Sequence, residues 1–328
     1  MWSLSASLAS LSCLYEIAPR RKPCHKIAMT SASAFPITIS PVRRSCLSVP
    51  ASNRRALDKT HDLACDVVIL DLEDSVFPEK KAEARDNLRR FFQETPLRER
   101  ETVIRINGTG SQYHAADLEL ILELRPDALL LPKVEGPQEI RDATSLLNAT
   151  GVRLWAMMEA PEGVLHAAAI AAVGREAEGR LDCFVLGLND LRKDTGVPPE
   201  PARTFLIPWM MQVVLAARAH GLVVIDSVFN DFRDADAFAI ECEQGRAMGF
   251  DGKMLIHPAQ IDIANDSFGP SPEAVRAAQA IIAAFAEPAA KGFNVINMNG
   301  QMVERLHLEQ AERLVAKAHY ISKRKTTA

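Results

Sequence analysis

From residue 44 onward, short apolar runs alternate with longer segments in which apolar residues recur every three or four positions. The runs at 45–50, 67–72, 102–107, 128–134, 153–159, 181–187, 222–227 and 253–257 are candidate strands. Several, such as VVILDL, ALLLPKV and LDCFVLG, are almost continuously hydrophobic, as strands are when both faces of a parallel sheet are covered. The segments between them predict helices. One spans 79–92 and begins after Pro78; another spans 205–220 and stops at Gly221, where a helix C-terminus favours glycine. Strand and helix alternating in this rhythm make an α/β protein, and eight such units closed on themselves make a (β/α)8 TIM barrel. A doubly wound open sheet is the alternative, but the chain has no internal repeat and no G-x-G-x-x-G fingerprint to support it.

A barrel carries its chemistry at the C-terminal ends of its strands, and polar residues recur there. Asp71, Glu73 and Asp74 end the second run, Arg105 and Asn107 the third, Lys133 the fourth and Glu159 the fifth. Asn189 and Asp190 follow the sixth, Asp226 ends the seventh and His257 the eighth. The barrel is expected over 41–290. Residues 291–328 read as an apolar segment, a turn at Asn299-Gly300 and a helix, an appendage able to cover a barrel mouth, its own or a neighbour's.

Glu159 and Asp190 have no lysine or arginine beside them in sequence, and hard oxygen ligands with room for water and substrate are what Mg²⁺ (or Mn²⁺) requires. The plainer reading makes each an acid at a helix start. Arg105 is a charge inside a Val/Ile strand, so either an oxyanion meets it or Asp71 or Glu73 pairs with it. Lys133 is a possible Schiff-base nucleophile, against the alternatives of snorkelling or pairing with Glu135 or Glu159. His257 is equally a strand-end cap or a catalytic imidazole. Arg54, Arg55 and Lys59, after the first strand, form a solvated helix face or a rest for a phosphorylated cofactor tail.

Composition narrows the class. With 48% apolar and 24% charged residues in 328, this is an ordinary globular chain and long enough for a substantial core. The 38 basic residues against 42 acidic ones give a net charge of −4, which offers no footprint for nucleic acid; nor does any segment read as a membrane span. The six cysteines (13, 24, 46, 65, 183 and 242) have no metal-ligand spacing and are expected to be reduced and mostly buried. Residues 1–40 are Ser-rich, with Arg20, Arg21, Lys22 and Lys26 against Glu16, and fit no packed pattern. They read as a non-native leader or an upstream start preceding Met29, which would make the protein cytoplasmic, or as a transit peptide, which would make it mitochondrial.

The segments RSCLSVPASNRRALDK, DVVILDLEDSVFPEKKAEAR, VIRINGTG, ALLLPKVE, MMEAPEGV, VLGLNDLRKDTG and FDGKMLIHPAQI, in this order, resemble the blocks of the citrate lyase β-subunit family. That family lies among the HpcH/HpaI-type aldolases and includes malyl-CoA and citramalyl-CoA lyases. The resemblance implies a barrel enzyme that uses Mg²⁺ to break or form a carbon–carbon bond between an acyl-CoA enolate and a 2-oxo acid. By position it implies Glu159 and Asp190 as metal ligands and Arg105 as the contact to the oxo acid. It implies Glu73 and Asp74 as an acidic pair holding metal-bound water, and Lys59, with Arg55 beside it, as contacts to coenzyme A. Backbone amides around Leu188 and Asn189 would hold the substrate carboxylate. Asn53 stands where some CoA-cleaving members have arginine, and the run LGLNDL lacks an acid that many members carry before the metal-binding Asp. In the tail, GQMVER resembles the family's G-x-M-I-D lid and puts Glu304 in place of an acid/base Asp that serves a neighbouring subunit. The extra methylene requires the backbone to retreat by about an ångström to keep hydrogen-bond reach. The expectation is a Mg²⁺-dependent lyase of malyl-CoA, citramalyl-CoA or citryl-CoA, assembled as a homotrimer or homohexamer. The alternatives are a CoA-independent aldolase of 2-oxo acids, a lyase subunit acting on an acyl carrier protein, and a catalytically silent barrel.

Overall fold

The computed structural model describes residues 41–148, 150–200, 202–290 and 292–327, so the leader, with Cys13 and Cys24, lies outside the described residues. Eight parallel strands close into a barrel in sequence order. They are β1 (Ser45–Pro50), β2 (Val67–Asp71), β3 (Glu101–Arg105), β4 (Ala128–Leu131), β5 (Arg153–Met158), β6 (Leu181–Leu186), β7 (Val223–Asp226) and β8 (Gly252–Leu255). Closure is made by β1 against β8, where Cys46 is level with Met254. Around the barrel run α1 (Arg54–Lys59), α2 (Lys81–Glu94), α3 (His114–Leu124), α4 (Pro137–Leu146), α5 (Pro161–Leu165) and α6 (Ala167–Val173). The ring continues with α7 (Leu188–Thr195), α8 (Ile207–His220), α9 (Ala235–Met248) and α10 (Ile261–Ser267). No helix of the described residues is long and apolar enough to cross a membrane.

All eight expected strands form, but some end sooner than their apolar runs. β4 stops before Pro132, which has no N–H for the ladder, and Lys133 then turns into the left-handed region at φ 50. β8 stops because the amides of Ile256 and His257 donate to Gln260 Oε1 instead of to a neighbouring strand. Helix α8 begins a little later than expected, after a short 3₁₀ turn, and ends at Gly221 with φ 71.

Alternation along the strands makes two cores. Val67, Ile69, Val103, Trp155, Val185 and Ile225 fill the barrel, whereas Leu70, Ile104, Phe184, Val224 and Leu255 pack against the helices. The N-terminal end of the barrel is plugged by charge. Arg43, fully buried, lies 4.4 Å over the Trp155 ring and pairs with Glu101 (2.7 Å) and Asp182 (2.6 Å). Arg153 binds the same two acids from its half-buried position. The four described cysteines are free and buried, as expected.

Past the barrel, α11 (Pro272–Ala286) leads to an antiparallel hairpin, β9 (Val295–Met298) and β10 (Gln301–Glu304), and then to α12 (Arg305–Thr327). The expected turn at Asn299-Gly300 is the hairpin loop, with both residues at positive φ (54 and 83), as a two-residue turn of type I′ requires. Helix α12 packs along α11, and its Arg324 reaches Asp66 (3.2 Å) at the N-terminal end of β2. The tail is therefore anchored at the end of the barrel opposite to the strand C-termini.

One polar group expected among the functional ones is structural. Asp226 has outward parity, next to the inward Ile225, and is fully buried between Arg203 (2.7 Å) and Lys253 (3.0 Å). Burial alone would raise its pKa, but these two cations hold the carboxyl below its ordinary value. A lowered folded value means stability present above the unfolded value of 3.8 and lost as pH falls through the folded one. An Asp226→Asn variant is expected to be less stable than wild type at pH 7 by roughly 3–5 kcal/mol, the cost of leaving buried cations unpaired. The gap between the two urea denaturation curves should close below about pH 4.

Candidate active site

Inward parity brings one set of strand ends together. Asp71 follows Val67 and Ile69 on the inner face, Arg105 follows Val103, and Glu159 follows Trp155 and Met157. Asp71 and Arg105 are also direct register partners. Their side chains form a bidentate pair, Nε to Oδ1 at 2.6 Å and the outer nitrogen to Oδ2 at 2.7 Å, with both residues buried. The ion pair expected as the plainer reading of Arg105 is thus present. The remaining guanidinium nitrogen lies 3.2 Å from Glu73 Oε2. Despite the cost of burial, the carboxylates keep Arg105 permanently charged, with its pKa moved further up.

The loop after β2 is pinned from both sides. Asp71 accepts the amides of Glu73 (2.9 Å) and Ser75 (3.1 Å), which folds the DLEDS segment back over the strand end. Lys81, buried at the start of α2, donates to the carbonyls of Leu72 (2.8 Å) and Glu73 (2.9 Å) and to Asn107 Oδ1 (2.7 Å). Asn107 in turn donates to Asp117 and to Leu72 O, so it holds the loop and does not face a reactant.

Lys133 pairs with Glu73 (2.5 Å) and lies 3.5 Å from Asp74, not with Glu135, and its contact to Glu159 is through the backbone amide. Burial opposes its charge, but Glu73 and Asp74 outweigh it and hold the pKa above the ordinary lysine value. Pairing with two carboxylates favours the charged ammonium over the free amine that a Schiff base needs.

Glu159 is 1% exposed, and its Oε1 accepts the Lys133 amide at 2.9 Å. Its Oε2 lies over Gly187, where a Cβ would be only 2.4 Å away, so glycine at the end of β6 is needed for the carboxylate to sit there. Burial first, then the charges of Glu73 and Asp190, raise the Glu159 pKa to about 8 despite Arg105. The side chain of Asp190, half-buried in the first turn of α7, makes no hydrogen bond or ion pair among the described residues. Five carboxylates (Asp71, Glu73, Asp74, Glu159, Asp190) thus share this end with three cations, Arg105, Lys133 and, behind the loop, Lys81. Glu159 and Asp190, the two without a side-chain cation partner, fit a divalent cation that keeps several waters. Among the described residues no set of three or more His, Cys, Asp or Glu side chains could hold a metal, so two carboxylates are what the chain offers.

Other expected residues fare differently. The Leu188 amide donates to Ser227 Oγ (3.0 Å) and is not free for a substrate carboxylate, whereas Asn189 keeps its amide at the open first turn and pairs its side chain with Asn230. Arg55 and Lys59 lie four residues apart on one exposed face of α1, the helix that follows the C-terminal end of β1, while Arg54 pairs with Glu94. Asn53 caps that helix through Ala56 N–H (3.1 Å). His257 also caps, accepting Ala259 N–H on Nδ1 and stacking on Phe232 at 4.3 Å. Glu304 is exposed at the end of the hairpin, its amide donating to His307 Nδ1, and shares no contact with Glu159, Asp190 or Arg105 of its own chain among the described residues. Lys81, Ser227 and Asn230 were not singled out from the sequence; Ser227 has inward parity two residues after Ile225, the signal that would have found it.

A profile of the HpcH/HpaI aldolase/citrate lyase family matches residues 44–258. The chain belongs to this family. Over 279 residues it is 43% identical to a (3S)-malyl-CoA thioesterase of Cereibacter sphaeroides, covering 85% of this chain and 95% of that one. It is 35% identical to the mitochondrial citramalyl-CoA lyase of Rattus norvegicus, over 86% of this chain and 88% of the other. Among solved structures, protein CitE from Mycobacterium tuberculosis in complex with magnesium, acetoacetate and coenzyme A is similar, with a TM-score of 0.68 and 30% identity. That match covers 86% of this chain and 98% of CitE.

Crowded carboxylates lower stability until something neutralises them. A carboxyl whose pKa is raised on folding lowers stability progressively as pH rises above the ordinary value of 4.5 towards 8. With EDTA present, Glu159→Gln is therefore expected to melt several degrees higher than wild type at pH 8. The difference should vanish near pH 4.5, as thermal unfolding across that range would read directly.

Proposed function

We propose that this chain is a Mg²⁺-dependent carbon–carbon lyase acting on a 3-hydroxyacyl-CoA whose hydroxylated carbon bears a carboxylate. The observation that carries the reading is the juxtaposition of Glu159 and Asp190, without side-chain cation partners, with the permanently charged Arg105 at one barrel mouth. Glu159 and Asp190 would hold the cation, which supplies Lewis-acid polarisation of the substrate's carboxylate and hydroxyl oxygens when bound. Arg105, fixed by Asp71, would offer the remaining N–H of its third nitrogen, the one beside Glu73, to the oxygen on which charge develops as the bond breaks. The Asn189 amide, at the open start of α7, is available to the substrate carboxylate. Arg55 and Lys59 supply the positive rim for the phosphates of coenzyme A.

The hydroxyl proton must leave for the 2-oxo acid to form. Glu304 is the proposed acceptor, in the site of a neighbouring copy, because among the described residues it shares no contact with Glu159, Asp190 or Arg105 of its own chain. That arrangement requires an oligomer; a trimer or hexamer is the proposed assembly. Glu304→Gln should lower kcat by about 10²-fold or more without weakening Mg²⁺ binding. An unchanged kcat would remove Glu304 from the mechanism.

A second reading, hydrolysis of the thioester, is favoured by the 43% identity to the malyl-CoA thioesterase. Against it, a longer Glu304 occupies the position resembling an acid/base Asp. Incubation with malyl-CoA, citramalyl-CoA and citryl-CoA, with Mg²⁺ or EDTA, separates the two. Metal-dependent release of a 2-oxo acid without free thiol is expected; free coenzyme A with the intact hydroxy acid would instead establish hydrolysis.

A further inference from the structure

The helix that carries Asp190 is held at its first turn by the neighbouring strand as well as by its own. Helix α7 follows β6, but its first amide, Leu188 N–H, donates 3.0 Å to Ser227 Oγ at the end of β7. The side chain of the next residue, Asn189, exchanges hydrogen bonds of 3.2 and 3.0 Å with the Asn230 amide, from the same β7 loop. Asp190 is the residue after that. The first turn of a helix has no internal partners for its amides, so whatever accepts them sets where that turn begins. Here the acceptor is a hydroxyl 1% exposed, on a residue of inward parity beside the site.

Ser227 is itself anchored. Its amide donates 2.8 Å to Asp226 Oδ1, and Asp226 is locked by Arg203 and by Lys253, with Arg203 also bonded to Gln244 and to the carbonyl of Glu241. Gly245 permits this packing, because a Cβ there would fall 2.7 Å from Asp226 Oδ2. A rigid ion-pair network in the helix layer thus fixes a serine on the other face of the same strand end, and the serine fixes the start of α7.

We propose that Ser227 is a positioning residue for the divalent-cation site: its hydroxyl sets the first turn of α7 so that Asp190 faces Glu159, and Asn230 secures the same turn from outside. The inference rests on the reading of Glu159 and Asp190 as cation ligands given above. Ser227 touches neither cation nor substrate and acts through Leu188.

Calorimetric titration of the full chain with Mg²⁺ tests this, alongside thermal unfolding in EDTA. Ser227→Ala is expected to bind Mg²⁺ about tenfold more weakly than wild type while melting at nearly the wild-type temperature in EDTA. Ser227→Thr, which keeps the hydroxyl, should restore the affinity. Wild-type affinity in Ser227→Ala, or equal weakening in the Ala and Thr variants, overturns the proposal and leaves the lyase reading standing. Absence of Mg²⁺ binding by the wild-type chain overturns both. Should Ser227→Ala fail to fold, Asn230→Ala decides: weaker Mg²⁺ binding at an unchanged melting temperature supports the proposal, and wild-type affinity defeats it.

Discussion

The bidentate pair between Arg105 and Asp71 is the constraint around which this end of the barrel is arranged. A guanidinium on the inner face of a parallel barrel cannot be left unpaired, and its register partner on β2 supplies a carboxylate at the right height. Asp71 uses its remaining capacity to fold the following loop, which brings Glu73 to the third nitrogen of Arg105 and to Lys133. The backbone of Lys133, in turn, bonds Glu159. One ion pair therefore orders four strand ends, those of β2 to β5, and leaves Glu159 and Asp190 without a side-chain cation partner in direct contact.

Strand parity sorts the polar strand ends into two groups. Asp71, Arg105 and Glu159 share the inner face with Ile69, Val103 and Met157, and they meet. Asp226 and His257 have the opposite parity, so Asp226 enters the helix layer as a structural ion pair and His257 becomes a cap. The two groups still communicate, since the outward Asp226 anchors Ser227, whose hydroxyl reaches the helix that carries Asp190. The helix layer is in this sense part of the site's support.

The tail is arranged differently. Its last helix is tied to the N-terminal end of the barrel by Arg324 and Asp66, and its hairpin stands on α11. Glu304, at the hairpin's end, shares no contact with Glu159, Asp190 or Arg105 of its own chain among the described residues. The segment forms a hairpin with a two-residue turn, and the geometry of that turn follows from Asn299-Gly300.

Much of this was legible in the chain itself. Continuous apolar runs at βα spacing determined eight parallel strands, because burial on both faces leaves that pattern, and their number favoured a barrel over the open sheet that the same pattern allows. The motif blocks determined the family, and the polar strand ends marked the mouth. What the sequence could not separate was which polar residue at each end faces inward and which partner it meets. Lys133 reads equally well beside Glu135 or Glu159, yet a left-handed turn after Pro132 sends it to Glu73, sixty residues away in sequence. Lys81 and Asn230 carry no local signal, and the inward parity of Ser227 marks its face but not its partner, since a serine hydroxyl or a buried ammonium gains a role only from the carbonyls and amides that closure of the barrel brings to it. Local periodicity is written in neighbouring residues and survives in the sequence; hydrogen-bond partners drawn from different strands exist only once the strands are side by side.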